Sequence, residues 1–198
     1  MARKRFRLLI YERMWRRWAA PCMLIIPASL ALWWSMPRVT DNEWYRSIAI
    51  LPAVIALVIL VFTYLARRRA WVECRSDHLR VQTPLYPLAI SYGRLKEVLP
   101  TSFSDVFNPA KEKGARRRWL NPYWGHTVLV ARLSRYPVSE KWLRLWLSPY
   151  LLYPQGPGLV FLVEDWMGLS RQIEDARAAW AVRRARKQQG QAQTGRFR

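Results

Sequence analysis

The pattern of apolar and polar positions divides the chain into two parts with different periodicity. In the N-terminal part, the stretches 18–36 and 47–66 contain no charged residue. At about 1.5 Å per residue, each would form a helix of roughly 30 Å, which matches the hydrocarbon core of a bilayer. Both stretches contain proline, which a membrane helix tolerates better than a helix in water. The pattern therefore predicts a transmembrane hairpin.

Charges flank this hairpin unevenly. Seven Lys and Arg residues precede the first stretch, and Arg67, Arg68 and Arg69 follow the second, whereas the intervening segment 37–46 has no net charge. The positive-inside rule then puts both chain ends in the cytoplasm. A basic start followed by an apolar stretch is also typical of a cleaved signal peptide. A second uncharged stretch with a basic flank favours a retained hairpin.

From residue 70 onward the apolar residues recur with a period of two, interrupted by turn residues, which is typical of short strands. A helix is predicted over about 166–187, after Asp165 as its N-cap. The predicted strands are 70–75, 78–83, 88–92, 95–103, 126–133, 141–147 and 158–164; the segment 141–147 also fits an amphipathic helix, and the strand is preferred.

The predicted C-terminal helix carries Trp166, Leu169, Ile173 and Trp180 along one face. Several antiparallel strands followed by such a helix predict a small barrel or sandwich that the helix plugs. The expected organisation is a basic N-terminus at 1–17, the hairpin at 18–66, a cytoplasmic domain at 70–187 and a basic flexible tail at 188–198.

Three segments carry a family resemblance. They are "WVECRSDHLRVQTP" directly after the second apolar stretch, "ISYGRLKEVLPTSF" with Tyr92, Leu95 and Val98, and "LVFLVEDWMGLSRQIEDA". With the hairpin before them, they resemble bacterial membrane proteins that carry a pleckstrin-homology-like domain. The resemblance implies an α+β PH-like module on the cytoplasmic face of a bacterial inner membrane. Around the first strand–turn–strand the chain offers only Arg75 and Arg80, so phosphoinositide recognition does not carry over.

The residues offer little support for catalysis. No glycine-rich phosphate loop is present, and His78 and His126 lack the spacing of a metal site or a triad. Cys22 and Cys74 form neither a metal pattern nor a disulfide framework, and they are interpreted as buried small side chains. The expectation is a non-enzyme with no cofactor, no metal and no small-molecule substrate.

The strongest functional signal is basic charge interleaved with aromatic residues, as in "ARRRWLNPYW" and "EKWLRLWLSPYLLY". Such stretches suit apposition to an anionic membrane or a partner surface, and they also fit core aromatics beside a solvated basic loop. The candidate surface comprises Arg67, Arg68, Arg69, Arg116, Arg117, Arg118, Trp119, Tyr123, Trp124, Lys141, Trp142 and Arg144.

The net charge of +20 attracts polyanions. The sequence therefore predicts a membrane-anchored binding or scaffold module that acts on a protein partner, a second copy of itself or anionic lipid headgroups. The alternative is attachment of RNA or ribosomes at the membrane through the basic surface and tail. Because the flanks of the hairpin account for much of the charge, nucleic acid is the weaker hypothesis.

Overall fold

The computed structural model describes residues 4–35 and 43–194, and the chain divides into two compact units. One unit, here the helical pair, comprises residues 9–70, and the other, here the strand-rich domain, contains the chain before and after it. The helices are α1 (Leu9–Ser35), α2 (Glu43–Arg69), α3 (Phe103–Val106), α4 (Gly114–Leu120), α5 (Glu140–Trp146) and α6 (Trp166–Thr194). The strands are β1 (Arg5–Arg7), β2 (Trp71–Cys74), β3 (His78–Gln82), β4 (Pro87–Ser91), β5 (Leu95–Ser102), β6 (Thr127–Leu133) and β7 (Gly158–Phe161).

The helical pair is antiparallel, because the start of α1 contacts the end of α2. The rings of Trp15 and Tyr64 meet edge to face at 5.5 Å, and Arg67 lies 3.8 Å from Glu12. Both helices are long and apolar enough to cross a membrane. Three prolines lie inside them without ending them: Pro21, Pro27 and Pro52.

Small side chains line the contact between the two helices, and large apolar side chains face outward. The buried residues along the apolar part of the pair are Cys22, Ser29, Ala49, Ala53, Ala56, Thr63 and Ala66. In contrast, Leu24 is 72% exposed and Val58 is 62% exposed. Small side chains let two helix backbones approach closely, as they do in membrane helix pairs.

The first sheet of the strand-rich domain is antiparallel, in the order β1-β2-β3-β4. The sequence pattern does not predict strand β1. It precedes the two long helices, whereas its neighbour in the sheet, β2, follows them. In the antiparallel register of β1 and β2, Phe6 lies opposite Val72. Phe6 and Leu8 are buried, which fixes this end of the chain to the domain. The segment expected to be a basic N-terminus therefore contributes an edge strand.

The second sheet is also antiparallel, in the order β5-β6-β7. Strand β6 is central, and Val128, Leu129, Val130 and Ala131 are buried on both of its faces. An isolated bridge between Leu152 and Leu159 covers part of the free edge of β7. Six of the seven predicted strands agree with strands in the structure to within a few residues.

The strand predicted at 141–147 is wrong, because this segment forms helix α5. Leu143 and Leu147 are the buried positions, and their spacing of four fits a helix rather than a strand. Glu140 and Arg144, also four residues apart, pair at 2.6 Å. The segment "KWLRLWL" fits both the period of two of a strand and the spacing of four of a helix. The helix is the form that buries Leu143 and Leu147 in the folded domain.

Helix α6 packs on the domain through its first half. Leu169 and Ile173 are fully buried, while Trp166 and Trp180 are half-buried. The indole of Trp180 lies against Gly93, where a Cβ atom would come within 3.0 Å of the ring. The helix continues to Thr194, so most of the segment predicted as a flexible tail is helical; residues 195–198 lie outside the described chain.

The coarse architecture expected from the sequence is confirmed: two apolar helices, two small antiparallel sheets and a C-terminal helix. The irregular middle of the chain contains short helices, among them α4. The assignment to the PH-like fold remains a prediction.

Candidate functional site

The predicted arginines on α4 are exposed to solvent. The helix begins at Gly114, whose φ of +57° favours glycine over other residues. Arg116, Arg117 and Arg118 project from it, and Arg116 lies 3.8 Å from Glu112. This segment therefore presents a concentrated positive charge at the surface.

The aromatic residues that follow these arginines belong to a packed cluster. Tyr123 is buried, and its ring lies 6.0 Å from that of Phe103. Trp124 lies 5.5 Å from Phe103, and Trp119 lies 5.0 Å from Tyr150. Edge-on and tilted pairs at these distances stabilise a core. Trp119, Tyr123 and Trp124 thus pack within the domain, and Arg116, Arg117 and Arg118 are the exposed residues of this segment's candidate surface.

Helix α5 presents a second part of the candidate surface. Trp142 is 42% exposed and Leu145 is 67% exposed, although Leu143 between them is fully buried. Lys141 is exposed, and Arg144 is held by Glu140. The short helix therefore exposes an apolar face with basic residues beside it.

Arg67, Arg68 and Arg69 form the last turn of α2 and belong to the helical pair. Arg68 lies over the ring of Tyr64 at 4.7 Å, and Arg67 is close to Glu12. Arg16, on the first half of α1, bonds to the same Glu12 at 2.9 Å. One end of the pair is therefore rich in arginine and aromatic side chains.

The outer face of the first sheet carries a basic cluster that sequence reasoning misses. Arg5 bonds to the buried Glu73 at 3.1 Å, and Arg75 approaches the same carboxylate at 3.4 Å. Arg5 also stacks over Trp71 at 4.5 Å, and Arg80 lies over the same ring at 5.5 Å. The alternation of charged and apolar residues in "RFR" could have indicated this cluster. The same residues also fit the charged flank of a membrane hairpin.

A cleft of about 620 Å³ opens in the strand-rich domain between the segment after β6 and the segment before β7. Its walls include Phe107, Leu152 and Tyr153 together with prolines 149, 154 and 157. Its polar lining is Ser134, Arg135, Tyr136, Glu140 and Arg144. Of the residues predicted for the site, only Arg144 lines this cleft.

Hydrogen bonds hold the rim of the cleft in place. The Tyr136 hydroxyl donates to the Gly158 carbonyl at 3.1 Å and accepts from the Gly158 amide at 3.2 Å. The Tyr153 amide donates to the Gly158 carbonyl at 3.0 Å. Burial raises the pKa of the Tyr136 hydroxyl above its ordinary value, so this donor keeps its proton beyond the pH at which an exposed tyrosine ionises. The cleft is thus preformed.

Other perturbed groups have structural explanations. Burial raises the pKa of the Cys74 thiol to about 12, and it also raises the pKa of the neighbouring Tyr92, whose hydroxyl donates to the Arg75 carbonyl at 2.8 Å. The hydrogen bond from Lys4, at 2.5 Å, lowers the pKa of Asp165, which also caps α6 through the Gly168 amide at 2.8 Å. A thiol held protonated is a weak nucleophile, so the Cys74–Tyr92 pair does not resemble a catalytic centre.

Within residues 4–35 and 43–194, no group of three or more His, Cys, Asp or Glu side chains is arranged to hold a metal ion. His78 begins β3 in the first sheet, and His126 directly precedes β6 in the second, where it packs against Tyr123 at 5.9 Å. Comparison with protein-family models, with curated proteins and with solved structures found no match for this chain.

Proposed function

We propose that this protein is a non-enzymatic, membrane-anchored binding or scaffold module on the cytoplasmic face of a bacterial inner membrane. Its helical pair is the membrane hairpin, and both chain ends are cytoplasmic. Its strand-rich domain is a PH-like module that binds a protein partner or anionic lipid headgroups. No reaction is assigned to it.

The observation that carries this proposal is the pairing of β1 with β2. Residues 5–7 come before the helical pair and residues 71–74 come after it, yet they form adjacent strands of one sheet. A pair of spanning helices returns the chain to the side from which it started, so a hairpin permits this pairing. A single crossing, or cleavage after α1, would separate β1 from the rest of its sheet.

The side chains of the helical pair support the membrane assignment. Exposed leucine, isoleucine and valine side chains cover the outer surface, and small residues lie at the helix contact. Arginine and aromatic residues gather at the end where α1 starts and α2 stops, as expected at a cytoplasmic interface.

The domain architecture supports the PH-like assignment. Four strands in chain order form one antiparallel sheet, three form a second, and the C-terminal helix packs its buried Leu169 and Ile173 on them. The hairpin then occupies the connection between the first two strands. This placement differs from the expected order of hairpin first and domain afterwards.

Topology is tested by single cysteines introduced at Thr40 and at Gln188, each in a chain whose two native cysteines are replaced. A membrane-impermeant maleimide should label the Thr40→Cys chain in intact spheroplasts. It should label the Gln188→Cys chain only after lysis. Labelling of both chains in intact cells would rule out the proposed orientation.

Binding is tested with the full chain, because a fragment starting at residue 70 lacks β1. Crosslinking in native membranes followed by mass spectrometry compares the wild type with the Arg116→Glu, Arg117→Glu, Arg118→Glu triple variant. The matched control reverses three exposed basic residues outside α4 that have no ion-pair partner among the described residues: Lys96, Arg171 and Arg177. Loss of a crosslinked protein, or of anionic lipid, in the α4 variant alone supports the proposal. An identical profile in all three chains contradicts it for this surface.

Attachment of RNA or ribosomes is the second candidate, and the exposed end of α6 favours it. Residues 181–189 are all exposed, and they include Arg183, Arg184, Arg186 and Lys187. Arg183 donates to the Ser76 carbonyl and Arg184 stacks on Trp180, which leaves Arg186 and Lys187 as the two charges of this end without such a contact among the described residues. Salt-dependent RNA binding that deletion of 182–198 abolishes would establish this function. Binding that survives the deletion would exclude the tail as its cause.

A further inference from the structure

We infer that the cleft in the strand-rich domain binds a monoanionic apolar acid, an aromatic or aliphatic group joined to one carboxylate, with Arg135 as the group that holds the anion. Such a site goes beyond the proposed function and does not depend on it. It is indicated by the size, the lining, the charge and the preformed shape of the cleft.

The size and the lining fit a small ligand. A volume of about 620 Å³ falls within the range of about 300–1,000 Å³ that is usual for small-molecule sites. Most of the wall is apolar, with Phe107 and Leu152 on it and three prolines around it. Such walls remove the apolar part of a ligand from water, and the few polar groups fix its orientation.

The charge balance selects a monoanion. Arg135 and Arg144 line the cleft with Glu140, and Arg144 bonds to the Glu140 carboxylate through both Nε, at 3.0 Å, and Nη2, at 2.6 Å. Arg135 has no ion-pair partner among the described residues. One guanidinium therefore remains to pair with an incoming carboxylate, which it can hold with two parallel hydrogen bonds.

Ser134 precedes Arg135 in the chain and also lines the cleft, so a second polar residue lies beside the guanidinium. The Ser134 amide is already used, because it donates to the Arg94 carbonyl at 2.8 Å. That bond holds the backbone from which Arg135 projects. The anion-binding groups are therefore mounted on a fixed strand end.

The opposite rim is equally fixed. Gly158 approaches other atoms so closely that a Cβ atom would lie 3.0 Å from the Ala131 carbonyl and 3.1 Å from the Tyr153 Cβ. The bonds from Tyr136 and Tyr153 to Gly158 hold the loop at this approach. A cleft that keeps its shape without ligand loses little entropy when a ligand binds.

The test uses the full chain in nanodiscs and three probes with the same apolar body: 4-phenylbutyrate, 4-phenylbutanol and 4-phenylbutylamine. Titration calorimetry should show the acid binding more tightly than the alcohol, and the amine binding least. Arg135→Glu should lower the affinity for the acid by about tenfold or more, which is the scale of a charge-assisted hydrogen bond. Pro154→Trp, at an exposed lining position, should block all three probes by filling the cleft.

Arg171→Glu is the matched control, since it makes the same charge change on an exposed part of α6 away from the cleft. It should leave acid binding unchanged. Acetyl-Leu-Phe with a free carboxylate, compared with its amide, distinguishes a peptide C-terminus from a free small acid as the natural source. Equal affinity for acid and alcohol, no saturable binding of the acid, or an Arg135→Glu chain that binds the acid normally would overturn the inference.

Discussion

The strand-rich domain fully buries large side chains, among them Tyr92, Phe103 and Phe161, whereas along the apolar part of the helical pair the buried side chains are small. The exposed side chains show the reverse. Leu24, Leu57 and Val58 of the pair are more than half exposed, although they are among its most apolar residues. One chain thus follows two opposite rules for what it buries.

The membrane assignment proposed for the helical pair accounts for the difference. In water, burial of large apolar side chains stabilises a fold by about 25 cal/mol per Å². Among lipid chains that term is lost, since the surroundings are as apolar as leucine, and close backbone packing through small residues takes over. The composition of the helical contact is therefore a stronger indication of hydrocarbon surroundings than helix length alone.

The first prediction breaks the domain at the strand that joins it to the start of the chain. Phe6→Asp places a carboxylate at a position that is 4% exposed and faces the core beside Val72. A buried, unpaired charge costs several kcal/mol, so protection of β1–β4 amides against hydrogen exchange should collapse. Exchange within α1 and α2 should change little.

Arg7→Gln, on the exposed face of the same strand, is the control for Phe6→Asp. It should leave the protection of the first sheet within about 0.5 kcal/mol of the wild type. Normal protection in the Phe6→Asp chain would mean that β1 does not belong to the domain. The proposed hairpin would then lose its main support.

The second prediction compares one substitution in both regions. Leu129→Ala removes a fully buried side chain from the central strand β6 and should destabilise the domain by about 2–5 kcal/mol. Leu57→Ala removes a side chain that is 51% exposed on α2 and should change the thermal stability of the pair very little. Denaturation in nanodiscs, followed by hydrogen exchange region by region, measures both. Comparable losses would show that the two regions obey the same rule.

The third prediction enlarges a small buried residue instead of truncating a large one. Ala53→Leu enlarges a residue that is 7% exposed at the contact between α1 and α2. Added volume at a close-packed contact costs about 1–3 kcal/mol, so the helices should separate. A crosslink by a short bismaleimide between cysteines placed at positions 15 and 64, whose aromatic side chains meet in the wild type, should form more slowly. The control is Ala31→Leu, which makes the same change on an exposed part of α1 and should leave the crosslinking rate unaltered. Equal slowing by both substitutions would show that position 53 is not a close-packed contact.

Local patterns are enough to predict both apolar helices and most of the strands, because each depends on periodicity within a few residues. Strand β1 cannot be found this way. "RFR" is three residues long, and its partner Trp71–Cys74 lies beyond the whole helical pair. Its exposed arginines also match the charged flank that a membrane hairpin requires, so one pattern conceals the other.

The candidate surface is predicted in part for a related reason. A run of basic residues is normally exposed to solvent, and Arg116–Arg118 are exposed, so the sequence predicts the exposure of this part. Tyr123 and Trp119 pack against Phe103 and Tyr150, which lie far away in the sequence, so their burial depends on tertiary contacts. The cleft depends on two irregular segments brought together by β6 and β7, and neither segment has a motif of its own.

The last prediction has the smallest effect and concerns the buried cysteine of the domain. The folded state holds the Cys74 proton up to a pKa of about 12, whereas an unfolded chain releases it near the ordinary pKa of 9.0. The folded state therefore binds more protons between these values, and its stability should fall as pH rises through that window and stay constant below it. Tyr92, whose pKa is also raised, acts in the same direction.

Cys74→Ala should reduce the slope of domain stability against pH between about 9 and about 11. Hydrogen exchange, corrected for its intrinsic pH dependence, measures this slope. The control, Cys22→Ala in the helical pair, should leave the slope unchanged. Equal slopes in the wild type and the Cys74→Ala chain would show that this thiol does not contribute to the alkaline sensitivity of the domain.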